Sequence, residues 1–175
     1  MGADYYVAAH KADWPTVAVL NECLAELKYP VRLAENSNIV EKPLRDDDGS
    51  LFVVFEKKSI QLEATVTRWS STESFAYGLK VENGQVAIPS GMDSYHPLDL
   101  NSELRKLGVD KPNYEYGDYI LSLTFRSSVD EWKAGFLLMS GLIRCSRGLG
   151  FEFGEASYGG VPFADKLVRE ALKME

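Results

Sequence analysis

Two neighbouring segments of the chain carry strong β-strand patterns, and their adjacency limits the fold more than any other feature. The segments are SLFVVFE (50–56) and SIQLEATVTRW (59–69), and only two lysines separate them. In the second segment apolar and polar residues alternate, which is typical of a strand with one buried and one solvated face. The first segment lacks this alternation, which predicts a strand covered on both faces. Together the two segments predict a hairpin of antiparallel strands.

Further elements are predicted from periodicity and from turn and cap residues. Asn83-Gly84 between two apolar runs predicts a second hairpin. Asp13 and Pro15 predict the start of a helix in WPTVAVLNECLAELK, and a capping-box pattern at 128–131 predicts the start of the longest helix. The remaining strands and the last helix are predicted in the segments DYYVAAH, YPVRL, DYILSLTF, GFEF and PFADKLVREALKM.

The order of these elements predicts an α+β fold with a single domain over residues 1–175. We expect a mostly antiparallel twisted sheet of about six to eight strands, with two or three helices packed on one of its faces. Between about residues 89 and 117 the patterns give way to a long irregular excursion. Within it, a short helix is expected from a cap at Asn101 to a stop at Gly108. A loop of this length in a compact domain is often functional or mobile.

The charge and the apolar runs exclude several classes of function. The formal net charge is −7, which opposes binding to nucleic acids or anionic membranes and is compatible with a basic protein partner. The longest apolar run, Ala134 to Ile143, is about half of the ~20 residues that a membrane span needs. The first residues show no signal-peptide pattern. Cys23 and Cys145 lie in predicted helices, where we expect free cysteines packed as small hydrophobes. These features predict a reducing, cytoplasmic location and leave the oligomeric state open.

No set of residues in the sequence predicts catalysis or a metal site. His10 and His96 are far apart, and neither belongs to a ligand pair with the usual zinc spacing. Both cysteines lie within helices, away from exposed helix starts, which argues against a Cys-His nucleophile. The acidic run RDDDGS fails the calcium-loop pattern, because Lys57 stands where the twelfth-position glutamate is required. We predict no cofactor and no metal, and we favour a protein that is not an enzyme.

The most glycine-rich stretch is RGLGFEFGEASYGG, with five glycines. A dinucleotide-binding loop runs from a strand into a helix, whereas Gly148 and Gly150 follow a helix and precede a strand. We interpret Gly148 as the left-handed residue that ends the helix, and Gly154 as a bulge or close-approach position. Gly159 and Gly160 do precede a helix. Their backbone N–H groups form a weak candidate anion site, and an ordinary turn is the favoured alternative.

Tyrosines and carboxylates concentrate in and near the irregular excursion. Tyrosine offers a large contact area at a low entropic cost, and it is favoured at binding surfaces. We predict an acidic, aromatic surface for a basic partner, with the alternative that the tyrosines only pin the long loop onto the body. The candidate binding residues are Tyr95, Asp99, Tyr114, Glu115, Tyr116 and Asp118.

Two hypotheses for the function follow. The first is a non-enzymatic acidic protein-binding domain, of the toxin-immunity or adaptor kind, which requires nothing that the sequence fails to supply. The second is a small-molecule-binding or enzymatic domain with a pocket between the sheet and the 89–117 loop. The polar candidates for that pocket are His96, Asp99 and Glu152.

Overall fold

The computed structural model describes residues 3–34, 40–68, 81–82, 85–86, 97–126 and 128–174. Within these ranges the chain forms nine strands and four helices. In chain order they are β1 (Ala3–Ala9), α1 (Val17–Glu26), β2 (Val31–Leu33), β3 (Ser50–Phe55), β4 (Lys58–Arg68), β5 (Val81–Glu82), β6 (Gln85–Val86), α2 (Pro97–Leu107), β7 (Tyr119–Phe125), α3 (Val129–Ser146), β8 (Leu149–Glu152), β9 (Ser157–Gly159) and α4 (Val161–Lys173).

Seven of the strands form one sheet in the order β2-β3-β4-β7-β1-β8-β9. Every neighbouring pair in it is antiparallel, so the predicted α+β fold with a mostly antiparallel sheet is confirmed. The short strands β5 and β6 pair separately, on either side of the predicted Asn83-Gly84 turn, and that turn itself lies outside the described residues.

The hairpin predicted around residues 50–69 is present, with its turn one residue earlier than expected. Glu56 and Lys57 both have positive φ, at 48° and 70°, and such a turn matches the right-handed twist of the flanking strands. The prediction that β3 is covered on both faces is wrong. Leu51, Val53 and Phe55 are buried, but the residues between them are only half-buried, because at this end of the sheet the core covers one face.

Three helices cover one face of the sheet and the fourth covers the other. The larger core lies between the sheet and α1, α3 and α4, and it includes Val7 and Leu121. The smaller core lies under α2 and includes Tyr6, Ala8 and Ile120. Because successive residues of a strand point to opposite faces, β1 and β7 contribute to both cores. Helices on one face were predicted, and α2 adds a second covered face.

Several helix ends differ from their predictions. The helix in the excursion starts at Pro97, so Asn101 lies inside α2, while Gly108 with φ of 119° ends it as predicted. The cap of α1 is Thr16 in place of Asp13, and its hydroxyl accepts a hydrogen bond from Val19 N. At the end of α3 the left-handed residue is Arg147 in place of Gly148.

The expected free cysteines are instead bonded to each other. Cys23 in α1 and Cys145 in α3 form a disulfide, with their Cα atoms 6.3 Å apart. The sequence hides this pairing because 122 residues separate the two positions. Among the described helices, none combines the length and the apolar composition that crossing a bilayer requires.

Candidate functional site

Asp118, one of the predicted binding residues, is a buried anchor. Its side chain is 2% exposed, and its two oxygens accept hydrogen bonds from the backbone N–H groups of Lys11 (2.8 Å) and Glu115 (2.9 Å). The Nδ1 atom of His10 lies 2.9 Å from the same carboxylate. These contacts join the end of β1 to the turn before β7. Such burial does not fit the predicted surface role of Asp118.

Tyr114 is buried beside this anchor. Its backbone N–H and C=O bond to the side-chain amide of Asn101, and its ring stacks on the imidazole of His10 with 4.9 Å between the ring centres. Its hydroxyl donates to the carbonyl oxygen of Ala8. Burial first, and the charge of Asp118 second, raise the pKa of the Tyr114 hydroxyl. Tyr114 therefore pins the loop onto the body, as in the alternative interpretation.

The other residues of the predicted surface are placed differently. Glu115 is exposed and Tyr116 is half-buried, so both can still contact a partner. Tyr95 lies outside the described residues, and Asp99 lies on α2. The structure therefore does not bring the six predicted residues together as one described surface.

The predicted pocket of His96, Asp99 and Glu152 lies partly outside the described residues and stays a prediction. His96 lies outside the described residues. Glu152 is 6% exposed, and its Oε1 atom accepts hydrogen bonds from Glu155 N (2.8 Å) and Ser157 Oγ (3.0 Å). This carboxylate holds the turn between β8 and β9. Two cavities of the described surface, of about 340 and 650 Å³, are both lined by other residues.

Gly159 and Gly160 have a packing role that needs no ligand. Gly159 lies in β9, and a Cβ atom on it would stand 3.1 Å from the Cβ of Phe163 in α4. The carbonyl oxygen of Gly160 accepts a hydrogen bond from Ala164 N at 3.0 Å, at the start of α4. The pair allows the last helix to start directly from an edge strand. Anion binding there stays a prediction.

The largest exposed apolar side chains of the described chain include three around the β8–β9 hairpin. Phe153 is 37% exposed, Tyr158 is 40% exposed and Val161 is 49% exposed. The ring of Phe153 packs against Tyr6 and Phe151, with centroids 5.8 and 5.7 Å apart. The Tyr158 hydroxyl donates to the carbonyl oxygen of Gly108 at 2.8 Å. Both aromatic rings are therefore held in place while part of each remains open to solvent.

The same hairpin carries negative charge. Glu155 is exposed, and together with Glu152 and Glu170 it acts on the hydroxyl of Tyr5. Burial and then these three carboxylates raise the pKa of Tyr5 to about 12. We call the set of Phe153, Glu155, Tyr158 and Val161 the β8–β9 edge surface.

Reasoning from the sequence missed this surface, although a signal was present. In the sequence FEF the two aromatic residues are two positions apart, so both lie on one face where β8 ends, at Glu152, and the turn begins. Comparisons of the chain with family models, with curated proteins and with solved structures found no match. The function has to be inferred from the geometry of the site.

Proposed function

We propose that this protein is a non-enzymatic binding domain that recognises an extended, basic segment of a partner protein at the β8–β9 edge surface. The observation that carries the proposal is the combination of exposed, fixed aromatic rings with an exposed carboxylate, Glu155, in the turn before the last strand of the sheet. A domain of the toxin-immunity or adaptor kind works in this way, because it acts by contact and needs no catalytic residues.

The edge strand supports binding of an extended segment. β9 is the last strand in the sheet order, so within the described chain only one of its sides is paired, by β8. Such an edge presents backbone N–H and C=O groups that an extended peptide can pair with. Side chains of the added strand would alternate between the two faces of the sheet.

One face of this edge is aromatic and the other is polar, and this difference determines which side chains a partner strand would need. Tyr158 lies directly across from Phe151, so both rings are on the face that α2 covers. Glu152 and Ser157 lie across from each other and therefore on the opposite face, towards Tyr5. Glu152 is itself buried and hydrogen-bonded within the turn, so Glu155 is the exposed carboxylate of this edge. A strand with apolar side chains towards Tyr158 and a basic side chain towards Glu155 would match this edge.

The opposite edge of the sheet fits a basic partner less well. It is formed by β2, and the cavity of about 650 Å³ beside it is lined by Arg32 and Lys57 as well as Glu56. Two cations there would repel a basic segment, whereas the carboxylate of Glu155 in the turn before β9 attracts it. The net charge of −7 would also favour encounter with a basic protein.

The direct test uses a synthetic peptide of alternating lysine and valine, with binding measured by calorimetry at low salt. We expect binding that weakens as salt increases, and no binding of a matched peptide of alternating glutamate and valine. A lysine-valine peptide with N-methyl groups at alternate residues should bind more weakly, because it cannot pair with the edge of β9. Equal binding of the methylated peptide would contradict strand addition.

A pair of charge reversals locates the contact. Glu155→Lys changes the β8–β9 edge surface, and Glu26→Lys makes the same change on an exposed position of α1. We expect the first variant to weaken binding of the lysine-valine peptide about tenfold, which corresponds to about 1.4 kcal/mol, and the second to have little effect. Equal effects of the two variants would show that only the net charge matters and would refute the proposed site.

The predicted cytoplasmic location now needs its own test. It relies partly on free cysteines, and the disulfide between Cys23 and Cys145 removes that support, because cytosolic thiols are normally kept reduced. Cells can be quenched in acid and the free thiols alkylated before mass spectrometry. Alkylation of both cysteines would support a cytoplasmic location, and recovery of the bonded form would contradict it.

A further inference from the structure

A cavity of about 340 Å³ opens where β4 ends and β7 begins. Pro43, Val66 and the ring of Tyr119 supply apolar surface to its lining, whereas the side chain of Leu44 is fully buried in the core. Three basic residues, Lys42, Arg45 and Arg68, also line this cavity. Three basic residues therefore lie around one small cavity in a protein whose net charge is −7.

These three cations lack carboxylate partners within the described chain. Lys42 and Arg45 form no ion pair there, and Arg68 donates only to the carbonyl oxygen of Gly117, at 3.4 Å. Among the acidic residues beside them in sequence, Asp46 is already engaged, because its oxygens accept the backbone N–H groups of Gly49 and Val66. Exposed carboxylates at Glu41, Asp47 and Asp48 form no ion pair with the described residues. Clustered like charges repel one another, and a bound anion would relieve the repulsion.

The segment 42–45, which lines one side of the cavity, is held in place by hydrogen bonds to its backbone. Val17 N donates to the carbonyl oxygen of Lys42 at 3.2 Å, and Leu44 N donates to that of Pro15 at 3.0 Å. The indole Nε1 of Trp14 donates to the carbonyl oxygen of Leu44 at 2.9 Å. The segment that carries Lys42 and Arg45 is therefore tied to the start of α1.

Ring contacts also hold Tyr119 and Arg68, which line the other side of the cavity. The ring of Tyr119 stacks on Trp14, with 4.8 Å between the ring centres, and the guanidinium of Arg68 lies 5.4 Å from the Tyr119 ring centre. The Nε of Arg68 donates to the carbonyl oxygen of Gly117, so its two terminal Nη groups remain as donors to a carboxylate or phosphate. Such a preformed site loses less entropy when it binds a ligand.

We propose that this cavity binds a small organic anion: a carboxylate or phosphate ester whose body is apolar. The cations would hold the anionic group, and Pro43, Val66 and the edge of Tyr119 would contact the body. The volume is at the lower end of the usual range for ligand sites, about 300–1,000 Å³, which limits the ligand to a body of about one ring. This site is independent of the protein-binding function proposed for the β8–β9 edge surface.

Calorimetry with phenyl phosphate, benzoate, inorganic phosphate and phenol separates the contribution of the cations to affinity from that of the apolar surface. We expect phenyl phosphate to bind more tightly than inorganic phosphate, and phenol to bind too weakly to detect, since it lacks the charge. Benzoate binding in addition to phenyl phosphate binding would show that the cavity accepts both kinds of anion. Equal affinity for phenyl phosphate and inorganic phosphate would contradict a role for the apolar surface, and failure of both organic anions to bind would overturn the site.

Matched double variants test the position of the site. Arg45→Gln with Arg68→Gln removes two cations from the cavity, and Arg169→Gln with Lys173→Gln removes two exposed cations from α4. We expect the first pair to weaken phenyl phosphate binding at least about tenfold with little change in the melting temperature, because charge-assisted hydrogen bonds are lost. The second pair should leave the affinity nearly unchanged. Equal losses in both double variants would overturn the proposed location.

Discussion

The carboxylate of Asp118 accepts hydrogen bonds from three groups of two separate segments, and His10 at the end of β1 is one of them, with 2.9 Å between Nδ1 and the nearer oxygen. Asp118→Ala would leave two backbone N–H groups of this buried corner without an acceptor. We expect a loss of about 3 kcal/mol in the free energy of unfolding, because unsatisfied buried donors are costly.

Urea denaturation measures this loss, and Asp110→Ala is the control. Asp110 is exposed beyond the end of α2 and forms no ion pair with the described residues. The control should change the free energy of unfolding by less than about 0.5 kcal/mol. If both variants unfolded at the same urea concentration as the parent protein, Asp118 would not be the anchor that we describe.

The disulfide between Cys23 and Cys145 should stabilise the fold, since it closes a loop across most of the chain. Chain entropy alone gives about 4–5 kcal/mol for a loop of this size, and measured values are commonly about 2–4 kcal/mol. We expect a reducing agent to lower the melting temperature of the parent protein. The double variant Cys23→Ser with Cys145→Ser should melt lower from the outset and show no response to the reducing agent.

Intact mass before and after alkylation decides whether the bond forms in the isolated protein. Protection of both cysteines until a reducing agent is added would agree with the structure. Immediate alkylation of both under denaturing, non-reducing conditions would contradict it.

The elements that the sequence predicts well depend on local chemistry. The alternation in β4 places Leu62 and Ala64 in the core, and the hydroxyl of Ser128 accepts from Glu131 N as the capping box requires. Each of these features is decided by residues a few positions apart, so its pattern can be read along the chain.

The features that were missed depend on contacts between distant segments. The one-sided burial of β3 depends on where the helices pack. From the sequence around residues 114–118, Asp118 is predicted to be an exposed acid. Its burial depends on contacts with His10 and Lys11 at the end of β1, more than a hundred residues away. The β8–β9 edge surface also depends on long-range order, because β9 becomes an edge only through the order of all seven strands.

The hydroxyl of Tyr5 should make stability depend on alkaline pH. Its pKa is raised to about 12 in the folded protein, mainly by burial and then by Glu152, Glu155 and Glu170, whereas the unfolded value is about 10. Above pH 10 the unfolded chain loses this proton before the folded protein does, so the unfolded state is favoured. Stability should therefore be unaffected by this group below pH 10 and should fall as pH rises from 10 to about 12.

Urea denaturation between pH 9 and pH 12 measures this effect in the parent protein and in Tyr5→Phe. The substitution should make the fall in stability shallower, because the hydroxyl is gone. The pKa of Tyr114 is raised as well, so Tyr5→Phe should retain part of the fall. An identical slope in the two proteins would contradict the raised pKa of Tyr5.

Two glycines of RGLGFEFGEASYGG should resist a side chain for different reasons, Gly150 because of packing and Gly160 because of its backbone angles. A Cβ atom on Gly150 would lie 2.5 Å from Phe163 Cδ1 and 2.6 Å from Ile143 Cδ1, so α4 and α3 would both have to move away from β8. We expect Gly150→Ala to lower the free energy of unfolding by about 1–3 kcal/mol, as other overpacked cores do. At Gly160 the nearest atom is 4.0 Å away, so a Cβ atom would meet no core side chain, but φ of −88° with ψ of −120° lies outside the α and β regions. Gly160→Ala should therefore lower the free energy of unfolding by about 1 kcal/mol through backbone strain alone. Thermal and urea denaturation of the two variants measure these losses, and unchanged stability of Gly150→Ala would show that the contact of α4 with β8 is looser than described.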